Sequence, residues 1–221
     1  MKSLELFILT NGASSYEYTM QSLEAQTYKC KMTTISGMRI DDAMNACHAK
    51  CESDYYMVVN DDMYLHPKAV QFYHGFIQRF GRRMGLFACM LWEPWPRHML
   101  VQCLKVFNRG IARQIGFSCD RRGKVDRVFL SGLRRFRFPV HIDEKSVVAM
   151  HLMRSRRDQV KYRELWVKNS KVSSVERLAL LDKDQSEIYE TVPYEDQVQE
   201  VSKLDDMNKR NKSIFWKEVL R

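Results

Sequence analysis

The sequence predicts an α/β fold, a mixed sheet flanked by helices, and three observations carry that expectation. Short apolar runs of strand length alternate with helix-length segments through roughly the first 80 residues. The strand-like runs stop abruptly at turn-forming residues, as at Thr10-Asn11-Gly12 and Ser36-Gly37. The 45% hydrophobic content of the 221 residues, with no Pro/Gly-rich or low-complexity stretch, describes a chain that folds over most of its length.

Taken in order, residues 4–9 form an apolar run that reads as a buried strand, and Ser14 or Ser15 can cap a helix over 16–26. Residues 30–35 alternate as a second strand. Asp41 or Asp42 can cap a helix running to 52, 54–59 is a third strand, and Pro67 opens a helix toward 80. Further strands are expected over 84–91 and 101–107, separated by Trp92-Glu93-Pro94-Trp95-Pro96-Arg97, whose prolines forbid regular structure. Residues 109–115 and 124–136 read as helices, and 147–150 as a short buried strand that delivers His151 at its end. The remainder is polar and helical in pattern. The expected organisation is a core over 1–155 followed by a helical C-terminal extension over 156–221.

Charge is unevenly distributed. Residues 97–163 hold 17 basic and 5 acidic side chains, and this middle third carries the whole excess behind the net charge of +9. Such a stretch suits phosphate, anionic lipid or nucleic acid. Six cysteines include no Cys-x-x-Cys pair and read as reduced, structural residues. No apolar run reaches the roughly 18 to 20 residues of a membrane helix, and the N-terminus leads into a strand rather than a signal peptide. A cytoplasmic protein with peripheral contact to the inner face of the membrane is the expectation.

The central chemical signal is the apolar strand that ends in Asn60, Asp61 and Asp62. Adjacent carboxylates at a strand terminus repel each other, and a hard divalent cation that prefers oxygen ligands relieves the repulsion while bridging phosphates. A turn with helix-capping carboxylates before Pro67 is the alternative.

These residues carry a resemblance. Ser22-Leu23-Glu24-Ala25-Gln26-Thr27, Ala43-Met44-Asn45-Ala46, Asn60-Asp61-Asp62 and Leu65-x-Pro67, in that order over residues 4–70, resemble the donor half of family 2 glycosyltransferases, which have the GT-A fold. The resemblance implies transfer of a sugar from a nucleotide diphosphate sugar to an acceptor hydroxyl, with manganese or magnesium as cofactor. Asp62 would bind the metal, and Asn60, Asp61, Thr10 and Asn11 would lie against the donor. The family's acidic residue after the second strand is missing at Ser36-Gly37, so Asp41 or Asp42 is the expected substitute.

Farther on, Ile115-Gly116-Phe117 and Val125-Asp126 are similar to the family's acceptor-side loop and helix, which implies that Asp126 is the general base of an inverting reaction. His151 would join Asp62 on the metal. Trp92 and Trp95 offer an aromatic platform for a glycan or lipid-linked acceptor, or serve as packing residues. Surface-glycan synthesis is the implied setting. Two alternatives stand beside this reading. One is a basic nucleic-acid-binding protein that stacks bases on Phe107, Phe117, Phe129, Phe136 and Phe138. The other is a sugar nucleotidyltransferase, which would want a Gly-rich phosphate loop where only Gly12 is present.

Overall fold

A computed structural model describes residues 2–80, 84–93, 99–120, 125–152 and 193–220. The first strand, β1 (Leu4–Thr10), is buried along almost its whole length and lies between β2 (Met32–Ser36) and β3 (Tyr55–Asn60), parallel to both. Both faces of β1 are covered. Leu4, Leu6 and Ile8 meet α1 (Tyr16–Glu24) and α3 (Ala69–Phe80), while Phe7 and Leu9 meet α2 (Ile40–Lys50), α4 (Arg109–Ile115) and α5 (Val125–Arg135). This two-sided burial is why the strand reads as a continuous apolar run. β2, at the sheet edge, buries only Ile35.

Beyond β3 the sheet continues with β6 (Met99–Asn108), β5 (Leu86–Glu93), β7 (Val140–His151) and β4 (Met63–Leu65), giving the order β2-β1-β3-β6-β5-β7-β4. The third and seventh strands in that order, β3 and β4, are joined by Asp61 and Asp62 alone. Four strand spacings in a flat sheet would span about 19 Å, whereas the three Cα steps from Asn60 to Met63 reach at most about 11 Å. The sheet therefore curls, and the end of β7 is brought beside the end of β3.

Several elements depart from the sequence expectation. Helix α2 begins at Ile40 with Arg39 at its cap and no side-chain cap bond, so Asp41 and Asp42 stand in the first turn, where carboxylates complement the helix dipole. Strand β4 is too short to announce itself in the sequence. Strand β7 starts at Val140 rather than 147, hidden by the polar stretch around Asp143, where its register with β5 shifts. There Asp143 accepts hydrogen bonds from the Lys145 and Ser146 amides.

The described C-terminal residues pack on this core. They comprise α6 (Tyr194–Gln199), a short 3-10 turn, α7 (Lys203–Arg210) and a final turn over Trp216–Leu220. Leu204 and Phe215 are fully buried, and the Phe215 ring meets Phe72 edge-on at 5.1 Å. Strand β4 pairs with β7 only over Ala149–His151, and just before that point the side chain of Asn208 takes its place. Its amide donates to the Val147 carbonyl at 2.7 Å and accepts from the Val147 amide at 3.0 Å, as a neighbouring strand would. The exposed edge is closed without another strand.

Cys47, Cys51 and Cys89 are buried and free, and burial pushes the Cys47 and Cys51 thiols up to about 12 and about 11. Such thiols are inert. Among the described residues no helix is long and apolar enough to cross a membrane.

Candidate active site

The connections leaving β1 and β2 cross on opposite faces of the sheet, α1 on one and α2 on the other. A crevice opens outside the carboxyl ends of the strands at such a switch point. Here it is a cleft of about 520 Å³, floored by Leu9–Ala13 and Asn60, Asp61 and Asp62. Ile35, Met38, Ile40 and Ala43 make its apolar end, and Ser14 and Tyr194 also line it. Of the sequence-predicted donor residues, Thr10, Asn11, Asn60 and Asp61 line this cleft together with Asp62.

Asp61 organises the loop that follows β1. Its Oδ2 accepts hydrogen bonds from the Thr10 hydroxyl at 2.6 Å and from the Asn11 and Ala13 amides at 3.1 and 3.2 Å. Its own amide donates to Leu9 and its carbonyl accepts from the Ser15 hydroxyl at 2.8 Å. Gly12 makes the turn possible with φ +80°, a conformation that costs a residue with a Cβ. The carboxylate expected to face the donor is thus turned into the protein's own loop, and Ser15 serves Asp61 instead of capping α1 with its side chain.

Asp62 has different partners. Strand β4 sets Met63 opposite His151, and the Leu152 amide donates to the Asp62 carbonyl at 2.7 Å. The His151 Nε2 lies 3.1 Å from Asp62 Oδ2, and its Nδ1 lies 2.9 Å from Glu93 Oε1. The pairing of Trp92 with Met150 carries Glu93 to that position. Burial works against a charge on the ring, but the hydrogen bonds and negative charges of Asp62 and Glu93 outweigh it and raise His151 to about 9.

The donor set fits a divalent cation. Two ligands held at about 2.1 to 2.2 Å and at right angles around a metal are roughly 3 Å apart, and Asp62 Oδ2 and His151 Nε2 have that separation. Glu93 on the other ring nitrogen is the outer carboxylate that commonly orients a metal-binding histidine. Among the described residues no three His, Cys, Asp or Glu side chains form a complete metal cage. Protein ligation would then come from Asp62 and His151, with the remaining positions left to a ligand or water. Glu93 had no signal in the sequence, where it reads as part of a Pro/Trp loop.

Other expected residues lie elsewhere. Neither Asp41 nor Asp42 lines the cleft, and Asp41 instead pairs with Arg39 at 3.2 Å. Trp92 is 7% exposed, packed with Val147, Met150, Leu152 and Leu204, with the Lys203 amine 5.9 Å from its ring centroid. That is a packing environment, not an open platform. Trp95 lies outside the described residues. Asp126 stands in the first turn of α5, exposed, with Lys105 Nζ at 2.7 Å. Lys105 is in register with Val58, two residues before Asn60.

Among the basic residues, Arg134 and Arg135 end α5, and Arg137 follows. Beside them the Phe138 amide donates to the Leu133 carbonyl, and both residues lie against Gly85 at the amino end of β5, so this cluster is at the opposite end of the sheet from the cleft. A diphosphate in the cleft is out of its reach. Phe107, Phe117 and Phe129 are core residues stacked or edge-on to one another, so of the five phenylalanines that the nucleic-acid alternative named these three offer no stacking surface, while Phe136 is exposed.

Two expected outcomes follow from this division of roles. Asp61→Ala should cost about 2–4 kcal/mol in urea unfolding, because it leaves several loop donors without their carboxylate. An unchanged midpoint would refute the organising role. His151 is held above its unfolded value near 6.5, so its contribution is complete below that pH and disappears as pH rises through about 9. In chelator, the melting temperature should therefore fall between those pH values by the equivalent of up to about 3 kcal/mol. His151→Gln should flatten the profile.

No protein-family model matches the chain, and no curated protein matches it by sequence. Comparison of the fold does find similar structures. The structure of S. aureus TarS 1-349 in complex with UDP-GlcNAc is similar with TM-score 0.54 and 10% identity, over 80% of this chain and 69% of that one. The mannosyltransferase PcManGT from Pyrobaculum calidifontis, in complex with GDP-Man and Mn2+, is similar with TM-score 0.53 and 11% identity, over 98% and 88% of the two chains. A CMP:2-keto-3-deoxy-manno-octonic acid synthetase complexed with CTP gives TM-score 0.50 and 10% identity, over 76% and 100%. With its curled seven-stranded mixed sheet, flanking helices and helical C-terminal region, the chain has a GT-A-like fold, which it shares with these structures.

Proposed function

We propose that the protein is a metal-dependent glycosyltransferase that moves a sugar from a nucleotide diphosphate sugar to an acceptor hydroxyl. The observation that carries this reading is the Asp62–His151–Glu93 array, whose Asp62 lines a cleft with Asp61 beside it and no Lys or Arg among its described lining. An anionic diphosphate in such a cleft needs a cation. A bound manganese or magnesium ion would supply the positive charge that stabilises the departing diphosphate. Asp62 and His151 would hold it, and Glu93 would fix the ring so that Nε2 faces Asp62.

The apolar end of the cleft suits the nucleobase, and Asn11 and Asn60 are within its lining to meet the remainder of the nucleotide. Asp126, in the first turn of α5 and paired with Lys105, is assigned the role of general base in an inverting displacement. The exposed Phe136, flanked by Arg134, Arg135 and Arg137, suits peripheral contact with an anionic membrane that presents a lipid-linked acceptor, in keeping with surface-glycan synthesis. The fold is shared with a synthetase complexed with CTP, so a nucleotidyltransferase is the second reading. Against it stands the β1–α1 loop, which contains a single glycine and commits Asp61 to its own amides rather than leaving them for a triphosphate.

Calorimetric titration with a panel of nucleotide sugars, with and without manganese, tests the donor. Asp62→Ala should abolish turnover and manganese-supported donor binding while costing less stability than Asp61→Ala. Activity that survives in excess chelator or in this variant would reject the metal-dependent scheme. Asp126→Asn should leave donor binding intact and lower kcat by a factor on the order of 10² to 10⁴, with an inverted product anomer by NMR. A near-normal kcat would remove Asp126 from the mechanism.

A further inference from the structure

Tyr194 lies 132 residues beyond Asp62, in the C-terminal segment, yet it lines the same cleft. Its hydroxyl is 3.1 Å from Ser14 Oγ, and its ring leans on Tyr18 with centroids 5.3 Å apart. The next residue, Glu195, accepts a hydrogen bond from the Tyr18 hydroxyl. The Tyr194 ring also packs against the cluster formed by Trp92, Met150 and Leu152, and the last two flank His151. Tyr194 is therefore wedged between the start of α1 and the strand end that carries the histidine.

The cleft has chemically distinct ends. Ile35, Met38, Ile40 and Ala43 form an apolar end in which Met38 and Ile40 are each 44% exposed, open to a planar base. Asn60, Asp62, Ser14 and Tyr194 supply polar atoms to the rest. A phenol with one neighbouring hydroxyl as partner retains capacity for a second hydrogen bond, and its ring offers an apolar face to a sugar.

We propose that Tyr194 is a donor-binding residue whose hydroxyl and ring contact the diphosphate–sugar portion of the nucleotide sugar. This rests on the glycosyltransferase reading and extends it, since the C-terminal helices then complete a site that the first 62 residues begin. Asn208 is what keeps them there: α7 is fastened to Val147 by its side chain, and α6 precedes α7 by one short turn. The contact distinguishes portions of the ligand. Losing it weakens a nucleotide sugar and leaves a nucleoside monophosphate nearly unaffected.

The test is calorimetry of the full chain with manganese, using UDP-GlcNAc and GDP-mannose as probes and UMP and GMP as controls. Tyr194→Phe keeps the ring and its packing, and should raise the Kd of the nucleotide sugar bound by the wild type about fivefold, the worth of one net hydrogen bond. Tyr194→Ala should raise it about thirtyfold, as loss of a buried aromatic contact does, with the monophosphate Kd changed less than about twofold. An unchanged nucleotide-sugar Kd in Tyr194→Phe overturns the proposal even if Tyr194→Ala fails to fold. Equal weakening of monophosphate and nucleotide sugar also overturns it, because that pattern marks a general structural role. A wild-type protein that binds none of the four probes rejects the donor reading itself, a result separate from either variant outcome.

Discussion

Two residues, Asp61 and Asp62, connect strands that stand four places apart in one sheet, and this short connection constrains the rest of the molecule. It is shorter than the flat distance between those strands, so the sheet must curl until the end of β7 meets the end of β3. His151 and Glu93 reach Asp62 only because of that curl. The connection is itself chemical, since the residues that make the turn are those with the carboxylates.

The two carboxylates have separate tasks. Asp61 faces the β1 side and neutralises amides of the loop after Thr10, which gives that loop one shape before any ligand arrives. Asp62 faces the β7 side and meets an imidazole held by a second carboxylate. In this turn the two carboxylates find partners on different elements, so a repulsive pair in sequence becomes two sites in space. The arrangement ties the loop to Asp61 and leaves Asp62 and Glu93 around one imidazole.

Asparagine side chains do the work of absent strands at two positions. Asn208 pairs with both main-chain groups of Val147, and Asn45 pairs with both main-chain groups of Phe117, at 2.8 and 2.9 Å. The first ties the C-terminal helices to the strand that ends in His151. The second anchors the loop between α4 and the segment leading to α5, which carries Asp126. An amide offers one donor and one acceptor in the spacing of a peptide, so it satisfies an open backbone pair that would otherwise be buried unpaired. Both segments are thereby held by contacts distant in sequence.

What the sequence determined by itself is the parallel half of the sheet and the position of its chemistry. Strands buried on both faces leave apolar runs, helices leave a longer period, and the abrupt change at Asn60-Asp61-Asp62 marks a strand end with ligand chemistry, so β1, β3 and the cleft they floor were legible. What only the tertiary structure decided is how those residues are used. Nothing local distinguishes Asp61 from Asp62, and their partners lie on different elements, the end of β1 with its following loop for one and β7 for the other. Glu93 acquires its role from the β5–β7 register, Trp92 is enclosed by α7, and Tyr194 enters the cleft through helices docked by Asn208. Period and propensity describe a residue's neighbours along the chain, whereas these roles are set by strand order, curl and side-chain pairing between segments far apart in sequence.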